Sequence, residues 1–327
     1  MMKGISKIVF ALFFVFTGFM SFAQEVVEHY EPARRDSLRV GSGQKDLLPF
    51  IEKGYTLMLP ESKVIRGVLI FLEDSVYDEK NRSARQLYED ANEKSFAVLS
   101  VSSEIPLDFY FSERSMLSTS TLIQTVFERY QLPNEHVFFL GASLTGHRAM
   151  RFVKFMKENS SSYQLSLRGL VICNFTLDFS RKWYQHKRDI RINRIDLREP
   201  RFINFMLESH LGGTPETKPE AYHDFSSYSY FDERNRNISM YKEYAILAYI
   251  EPAIKYKLSH QLRTLYENNS TDIVGFLAEL ELAGNVNTEL IVIQSDELSS
   301  RSKSAQSTWD EINKDQLMSW IEGQLEN

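Results

Sequence analysis

The chain contains one cysteine, Cys173, so it cannot form an internal disulfide. A single thiol also excludes a metal site built from several cysteines, and the zinc-binding pattern His-Glu-x-x-His does not occur. A glycine-rich phosphate-binding loop is absent as well. We therefore expect no metal and no other cofactor. Because Cys173 lies in the apolar run Leu170–Cys173, we expect its thiol to be buried and inert.

The chain also lacks an excess of positive charge, since its formal net charge is −6. This charge gives no electrostatic reason to expect binding to nucleic acid or to an anionic membrane surface. Low-complexity tracts and internal repeats are absent. A content of 43% hydrophobic and 25% charged residues is typical of a globular protein.

An apolar run long enough to interact with a membrane occurs only at the amino terminus. Lys3 and Lys7 introduce the apolar stretch Ile8–Met20, and Ser21-Phe22-Ala23 fits a small-x-small cleavage site. The pattern predicts a signal peptide at residues 1–23 and therefore an exported protein without a membrane span after cleavage. A retained amino-terminal anchor is the alternative interpretation.

The mature chain, residues 24–327, has a length that one α/β domain can reach. Its first part, to about residue 53, is polar, and we interpret it as an irregular lead-in. Beyond it, short β-branched or aromatic runs alternate with helical stretches, which predicts an α/β fold with a mostly parallel sheet flanked by helices. The predicted strands are Tyr55–Leu59, Val64–Leu72, Phe96–Ser102, His136–Leu140, Gly169–Phe175, Tyr244–Ile250 and Glu289–Gln294. The predicted helices lie near 82–94, 117–130, 144–158, 253–268, 271–283 and 313–325.

The residues between the fifth and sixth predicted strands are too many for one crossover helix. We interpret about 178–242 as a cap insertion over the carboxyl edge of the sheet, where open α/β sheets place their ligand crevice. Basic residues at 188–194 alternate with acidic ones, which favours a solvated helix face over an anion site. An aromatic cluster either lines a pocket for a small-molecule or peptide ligand or packs the cap onto the sheet: Tyr222, Phe225, Tyr228, Tyr230 and Phe231.

The most informative segment surrounds Ser143. An apolar strand at 137–140 runs into Gly141, the serine follows two residues later, and a helix begins at once. In the nucleophile elbow of a serine hydrolase the serine has a strained backbone, so the residues two before and two after it must be small. Gly141 meets this need, whereas Thr145 occupies the second position with Gly146 directly behind it.

The same corner has a second consequence for chemistry. It places Ser143 at a helix amino terminus, where the backbone N–H of Leu144 is a candidate for half of an oxyanion hole. A βα turn whose glycines only relieve crowding is the structural alternative. The preceding strand, the following helix and the mid-sheet position together favour the elbow.

The stretch Gly141–Ala149 resembles the elbow of a group of exported bacterial α/β-hydrolase-like proteins. Three further motifs of that group are present: Gly212-Gly213-Thr214-Pro215, Glu251-Pro252 and Ala283-Gly284-Asn285. The resemblance runs from about residue 64 to the carboxyl terminus. It implies an α/β-hydrolase fold, a periplasmic or secreted location in a bacterium, and activity of the serine esterase or peptidase type.

In hydrolases of this fold the triad follows the chain order serine, acid, histidine. Glu251 follows the strand Tyr244–Ile250 and is one candidate for the acid. The resembling proteins often carry an aspartate just after the proline, where this chain has Ala253. Asp178, in the loop after the preceding strand, is the second candidate.

The histidine has no counterpart in the sequence. The resembling proteins place it directly before a Ser-Trp pair, and on that alignment Ser307 occupies its position before Thr308-Trp309. The last histidine of the chain is His260. A serine hydroxyl is a weak nucleophile without a neighbouring base, so a replacement would have to come from His147, His210 or His223. We expect His147 to point away from the crevice and the other two to lie in the cap.

Two functional hypotheses follow from these residues. The first is an exported serine hydrolase for an ester or peptide-like substrate, with Ser143 as nucleophile, Glu251 or Asp178 as the acid and a cap histidine as the base of a degenerate or atypical triad. The second is a non-catalytic pseudo-hydrolase that binds a ligand or protein. The retained serine favours the first hypothesis, and the absent histidine favours the second. The oligomeric state is not predicted by the sequence.

Overall fold

The computed structural model describes residues 25–32, 52–62, 64–72, 82–102, 112–159, 165–193, 196–293 and 311–326. The predicted signal peptide at 1–23 and the predicted histidine position at Ser307 lie outside these residues. Every helix in the described ranges is too short or too polar to cross a membrane.

The described residues form one eight-stranded sheet with helices on both faces. Its strands are β1 (Glu25–Pro32), β2 (Glu52–Leu59), β3 (Gly67–Phe71), β4 (Phe96–Ser102), β5 (Val137–Ala142), β6 (Leu167–Cys173), β7 (Ala245–Ile250) and β8 (Thr288–Val292). They lie side by side in the order β1-β2-β4-β3-β5-β6-β7-β8. The strands from β4 to β8 pair in parallel, and β2 is antiparallel to both of its neighbours. The prediction of a mostly parallel sheet is confirmed.

The helices follow the strands as βα units. They are α1 (Arg82–Glu93), α2 (Glu113–Tyr130), α3 (Leu144–Glu158), α4 (Phe179–Ile192), α5 (Arg198–Leu211), α6 (Pro219–Phe225), α7 (Ile254–Gln261), α8 (Asn269–Leu282) and α9 (Lys314–Gly323). Short 3-10 helices lie at Ile238–Met240 and Leu265–Glu267. In the interval between β6 and β7, where we expected the cap, the chain forms α4, α5, α6 and the first 3-10 helix.

The inner strands are buried on both faces, which explains their continuous apolar sequences. Successive residues of β3 alternate between two cores: Val68 and Ile70 join α2, α3 and α8, whereas Leu69 and Phe71 join α1 and α9. A third, smaller core lies among the helices that follow β6 and contains Phe179, Trp183, Leu207, Tyr222 and Phe225. The central strands, β5 among them, are therefore covered by packed side chains on both faces.

The predicted irregular lead-in is wrong in one respect, because β1 occupies Glu25–Pro32. This strand pairs with β2 from Glu25 opposite Leu59 to Pro32 opposite Glu52. It is an edge strand, and its side chains are mostly exposed. An exposed edge strand needs no continuous apolar sequence, so its polar composition gave no strand signal.

Candidate functional site

Ser143 lies at the corner where β5 ends and α3 begins, at the carboxyl edge of the sheet. Its backbone has φ 53 and ψ −127, and its side chain is exposed. A positive φ is uncommon for a residue other than glycine and costs of order 1–3 kcal/mol. The conformation presents the hydroxyl away from the buried strand. The strand, strained serine and helix of the predicted elbow are all found at this position.

Two glycines allow this corner to close. A Cβ atom at residue 141 would lie 2.4 Å from the Cα of Gly146, and a Cβ at residue 146 would lie 2.2 Å from the ring of Phe175. Neither position has room for a side chain. The small residue on the helix side therefore lies three positions after Ser143, not two.

Thr145 occupies the position where the resembling proteins carry glycine. Its hydroxyl accepts a hydrogen bond from the N–H of Ala142 at 3.1 Å and donates one to the carbonyl of Ala142 at 2.8 Å. The side chain thus turns back onto the end of β5. A threonine is accommodated because its hydroxyl bridges the two sides of the corner.

Leu144 is the first residue of α3. The first intrahelical hydrogen bond runs from the N–H of His147 to the carbonyl of Ser143, so the N–H of Leu144 has no acceptor within the helix. The helix dipole adds partial positive charge at the same end. This position suits the oxyanion role predicted for Leu144, which remains a prediction.

Glu251 lies at the same edge of the sheet as Ser143, two strands away. Ala142, Cys173 and Tyr249 are aligned across β5, β6 and β7, and Glu251 follows two residues after Tyr249. The glutamate is almost fully buried, and its charge acts on the neighbouring thiol of Cys173. The structure thus brings Glu251 to the edge and the side of Ser143 expected for a triad acid.

Asp178 is held by the polypeptide around it. One carboxylate oxygen accepts a hydrogen bond from the N–H of Arg181, as the N-cap of α4. The other accepts from the hydroxyl of Ser229 and the N–H of Tyr230. Burial raises the pKa of Asp178, and the nearby charge of Asp272 raises it further. These contacts give Asp178 a structural role at the start of α4. Of the two acid candidates, Glu251 is therefore the better placed to act in a triad.

His147 is buried and packs into the core of the helices that follow β6. Its ring centroid lies 4.3 Å from that of Phe179 and 5.1 Å from that of Phe225. The imidazole points from α3 into these aromatic rings. The expectation that His147 points away from the crevice stays a prediction.

The other candidate bases lie on α5, α6 and α7. Within the described residues the hydroxyl of Ser143 forms no hydrogen bond with a histidine ring. His210 is exposed in the last turn of α5, and His223 is half-buried on α6. His260 is exposed on α7 and stacks on Tyr256.

Cys173, the last residue of β6, has the buried position that we predicted. Burial raises the pKa of the thiol well above its ordinary value, and the charge of Glu251 raises it further. A thiol that stays protonated is a poor nucleophile and a poor metal ligand. Among the described residues, no group of three or more His, Cys, Asp or Glu side chains could hold a metal ion.

The aromatic cluster after β6 divides into two parts. Tyr222, Phe225 and Tyr228 are buried in packing, whereas Tyr230 and Phe231 are 74% and 50% exposed. The two exposed rings contact each other edge to face at 5.6 Å. The N–H of Tyr230 binds Asp178, so this exposed pair is anchored to the loop that follows β6.

Asn174 was not predicted from the sequence. It follows β6 directly, so it lies beside Ser143 at the end of the neighbouring strand. An asparagine just after an apolar strand is a signal that sequence analysis could have used, but only with the strand order known.

The strand order and the elbow geometry can be compared with solved structures. One is the acylaminoacyl peptidase of Pyrococcus horikoshii, with 12% identity, a TM-score of 0.50, and alignment over 91% of this chain and 41% of that one. Another is carboxyl esterase 2 of the fungus Tuber melanosporum, with 10% identity, a TM-score of 0.51, and alignment over 94% and 86%. The chain has the α/β-hydrolase fold.

A third similar structure is the Francisella virulence factor BioJ, with 13% identity, a TM-score of 0.51, and alignment over 91% of this chain and 85% of that one. At these identities the similarity concerns the fold alone. The chain spans less than half the length of the Pyrococcus peptidase. Comparison with protein-family models and with curated protein sequences gives no match.

Proposed function

We propose that this chain is an exported α/β-hydrolase-like protein in which Ser143 attacks an ester or peptide-like carbonyl without the usual histidine. The observation that carries the proposal is the backbone of Ser143, which holds an exposed hydroxyl in a strained conformation at a helix amino terminus. Strain of this kind persists only where the surrounding structure imposes it, and it is frequent at reactive centres. The similarity to solved esterase and peptidase structures supports the same choice.

Each residue of the candidate site has one chemical role in the proposed reaction. The oxygen of Ser143 attacks the carbonyl carbon, and the N–H of Leu144 donates to the oxygen on which negative charge develops. Glu251 occupies the position of the triad acid. With no histidine to accept it, the serine proton passes to water or hydroxide, which lowers the rate by several powers of ten. The bond between the carbonyl carbon and the leaving oxygen or nitrogen then breaks, the leaving group takes a proton from water, and a second water later hydrolyses the acyl-serine. We therefore expect acylation of Ser143 by activated carbonyl compounds and slow turnover.

A fluorophosphonate probe tests this proposal directly, because it modifies nucleophilic serines. We expect slow labelling of the purified protein and none of Ser143→Ala. Ser239→Ala is the matched control, since Ser239 is an exposed serine whose hydroxyl donates to the carbonyl of Arg236. Labelling that is equal in the parent and in Ser143→Ala would exclude Ser143 as the nucleophile.

The pH dependence of labelling separates this mechanism from one with a hidden histidine base. A histidine would give an inflection near its ordinary pKa of about 6.5. Without one, we expect the rate to rise with pH from 6 to 9, as hydroxide becomes available. A plateau above pH 7 would show that a base of near-neutral pKa does serve Ser143.

A non-catalytic binding protein is the second candidate. The absence of a histidine beyond residue 260 favours it, because every later segment lacks the residue that normally activates the serine. Its ligand would be a small molecule or peptide in the crevice at the carboxyl edge of the sheet. This candidate predicts no Ser143-dependent labelling at any pH.

Export belongs to the same proposal. Lys3, Lys7 and the apolar stretch Ile8–Met20 support cleavage after Ala23 and release of the mature chain into the periplasm or the medium. Amino-terminal sequencing of the protein from a cell envelope or culture fraction is the test. We expect Gln24 as the first residue. An intact Met1 on membrane-bound protein would instead support the retained anchor.

A further inference from the structure

One margin of the described sheet ends in β8, which pairs with β7 on its inner side. At the start of β8 the carbonyl of Asn287 accepts from the N–H of Ile246 at 2.8 Å. At its end the N–H of Ile293 donates to the carbonyl of Ile250 at 2.8 Å. Hydrogen bonds of a parallel ladder are evenly spaced, so every second residue of β8 faces β7 and the residues between them face outward. The outward residues are Thr288, Leu290 and Val292.

The outer side of β8 is an open row of backbone groups. Each outward residue contributes one N–H donor and one C=O acceptor. Within the described part of the chain, these groups form no hydrogen bond. An unpaired edge of this kind is a template on which another strand can add.

The side chains of the outward residues lie on the same face of the sheet as α8. Leu290 is aligned with Ala248 of β7, which belongs to the core beneath that helix. Leu290 and Val292 are nevertheless 40% and 51% exposed, because no strand lies beyond them among the described residues. An edge strand facing only water would usually carry polar side chains at such positions.

The helix α8 extends this apolar surface. The hydroxyl of Thr288 donates to the carboxylate of Glu281 at 3.0 Å, so this side of α8 faces the margin formed by β8. Val274 lies two turns before Glu281 on the same side and is exposed. Leu282 and Val286, between this side of the helix and β8, are 81% and 89% exposed. We name the following residues the β8 edge surface: Val274, Leu282, Val286, Leu290 and Val292.

The opposite margin of the sheet has the protection that edge strands usually carry. Its strand, β1, contains three carboxylates, Glu25, Glu28 and Glu31, and ends at Pro32. Charged residues and proline discourage the addition of another strand. In β8, by contrast, Glu289 is the one charged residue. The charges of the two margins therefore favour β8 as the place where a partner strand adds.

A second copy of β8 is complementary to the first. In an antiparallel pair with Leu290 opposite its own copy, each Thr288 lies opposite a Val292. The three outward N–H groups of each strand then reach the three outward carbonyls of the other. Glu289 lies opposite Ile291, so no two carboxylates face each other directly, which would be destabilising. A shifted register leaves some of the outward groups unpaired.

We propose that this protein forms a two-fold symmetric dimer in which the β8 edge surfaces of two copies pack together and their sheets become continuous. Such an interface uses the same surface twice, as closed dimers do. Ser143 lies three strands away from β8, so the interface leaves it uncovered. The inference is independent of the proposed function, because it does not require Ser143 to react.

The molar mass in solution is the first test, measured by light scattering after size-exclusion chromatography and by sedimentation of the purified protein. We expect a dimer for the parent. Leu290→Lys places two ammonium groups opposite each other at the two-fold axis and should raise the dissociation constant at least about a hundredfold. Leu117→Lys is the matched control, since Leu117 is 45% exposed on α2, and it should remain dimeric.

Circular dichroism melts confirm that the lysine variants fold. A monomeric parent, or a dimer that persists in Leu290→Lys, would overturn the inference. Association of the parent into open chains would also contradict it, because pairing of β8 with β1 of the next copy does not close.

A charge exchange tests whether residue 290 faces its own copy. Leu290→Glu alone should be as monomeric as Leu290→Lys, because its carboxylates would oppose each other. A mixture of the two variants brings opposite charges together and should associate at least about tenfold more tightly than either alone. A mixture that stays monomeric would refute the proposed pairing.

Disulfide trapping tests the register. In the proposed pair the two Cα atoms at residue 290 lie about 5.5 Å apart, within the range that a disulfide spans. The two Cα atoms at residue 288 are four residues apart along the strands, about 13 Å. Mild oxidation should therefore crosslink Leu290→Cys and leave Thr288→Cys uncrosslinked, while the buried Cys173 stays unreacted. Equal crosslinking of the two variants, or none in Leu290→Cys, would overturn the inference.

Discussion

Replacing Asp272 with asparagine removes the carboxylate that neutralises a buried guanidinium. Arg181, on α4, is about 3% exposed and binds both oxygens of Asp272, on α8, through its Nε and a terminal nitrogen. The same carboxylate also accepts the N–H groups of Leu177 and Asp178. Breaking one partner of a buried ion pair costs about 3–5 kcal/mol, because the other charge stays buried without compensation.

Urea denaturation measures this loss. For a denaturant dependence of about 3 kcal/mol per molar, the midpoint of Asp272→Asn should fall by about 1–1.7 M. Asp196→Asn is the matched control, since Asp196 pairs with Arg198 on the surface, with side chains 59% and 69% exposed. We expect this variant to shift the midpoint little, because solvent screens an exposed pair.

A double variant then tests whether the cost comes from the uncompensated charge. Arg181→Met combined with Asp272→Leu removes both charges at similar volume and should be more stable than Asp272→Asn alone. If Asp272→Asn shifts the midpoint no further than Asp196→Asn does, the reasoning about burial is refuted. If the double variant is less stable than the single one, the network of N–H groups around Asp272 matters more than the charge of Arg181.

Three further changes are predicted. Gly146→Ala should cost about 1–3 kcal/mol, because its Cβ would lie 2.2 Å from the ring of Phe175, whereas Gly323→Ala, with nothing within 4 Å, should be nearly neutral in thermal melts. Burial lowers the pKa of His186 well below 6.5, and the charge of Lys182 lowers it further. The imidazole of His186 therefore stays neutral in the folded protein, whereas in the unfolded chain it gains a proton below about pH 6.5. Stability should therefore fall with decreasing pH by up to about 1.4 kcal/mol per unit, and His186→Gln should remove this slope in urea midpoints measured from pH 7 to 5. Ser307→His supplies a base at the position where the resembling proteins carry one, and fluorophosphonate labelling of Ser143 should become at least about tenfold faster.

A specific result would contradict each of these three predictions. Equal melts for the two glycine variants would mean that the ring of Phe175 moves aside without cost. A pH slope that persists in His186→Gln would assign the loss of stability to other groups. An unchanged labelling rate in Ser307→His would contradict the alignment of residue 307 with the histidine of the resembling proteins.

The central strands and the elbow could be predicted because one local rule decides them. A strand buried on both faces has to be continuously apolar, and β3 and β5 are such strands. β1 was missed because an edge strand has no such requirement. The three helices between β6 and β7 were not predicted individually from the sequence, since their apolar residues pack mainly on one another around Trp183 and Tyr222.

The candidate site was only half predictable, because it is assembled by strand order. Ser143 and Leu144 are visible in one short segment, and the chain order of the triad led to Glu251, whereas the place of Asn174 beside Ser143 follows only from the register of β5 and β6. No spacing along the chain records that neighbourhood. The acid candidate Asp178 shows the converse, since its place in the sequence suits a triad while one hydrogen bond uses it as the N-cap of α4 and two others tie it to Ser229 and Tyr230.

The elbow itself shows how a motif can change without loss of its geometry. The corner needs close approach of β5 and α3, and the contact of residue 141 with Gly146 meets that need one position later than the usual pattern. This shift releases position 145 from being small. Thr145 then bonds both backbone groups of Ala142, which stabilises the turn from within. The fold therefore requires that β5 and α3 approach each other at positions that carry no Cβ atom. Gly141 and Gly146 meet this requirement with a spacing around Ser143 that differs from the usual one.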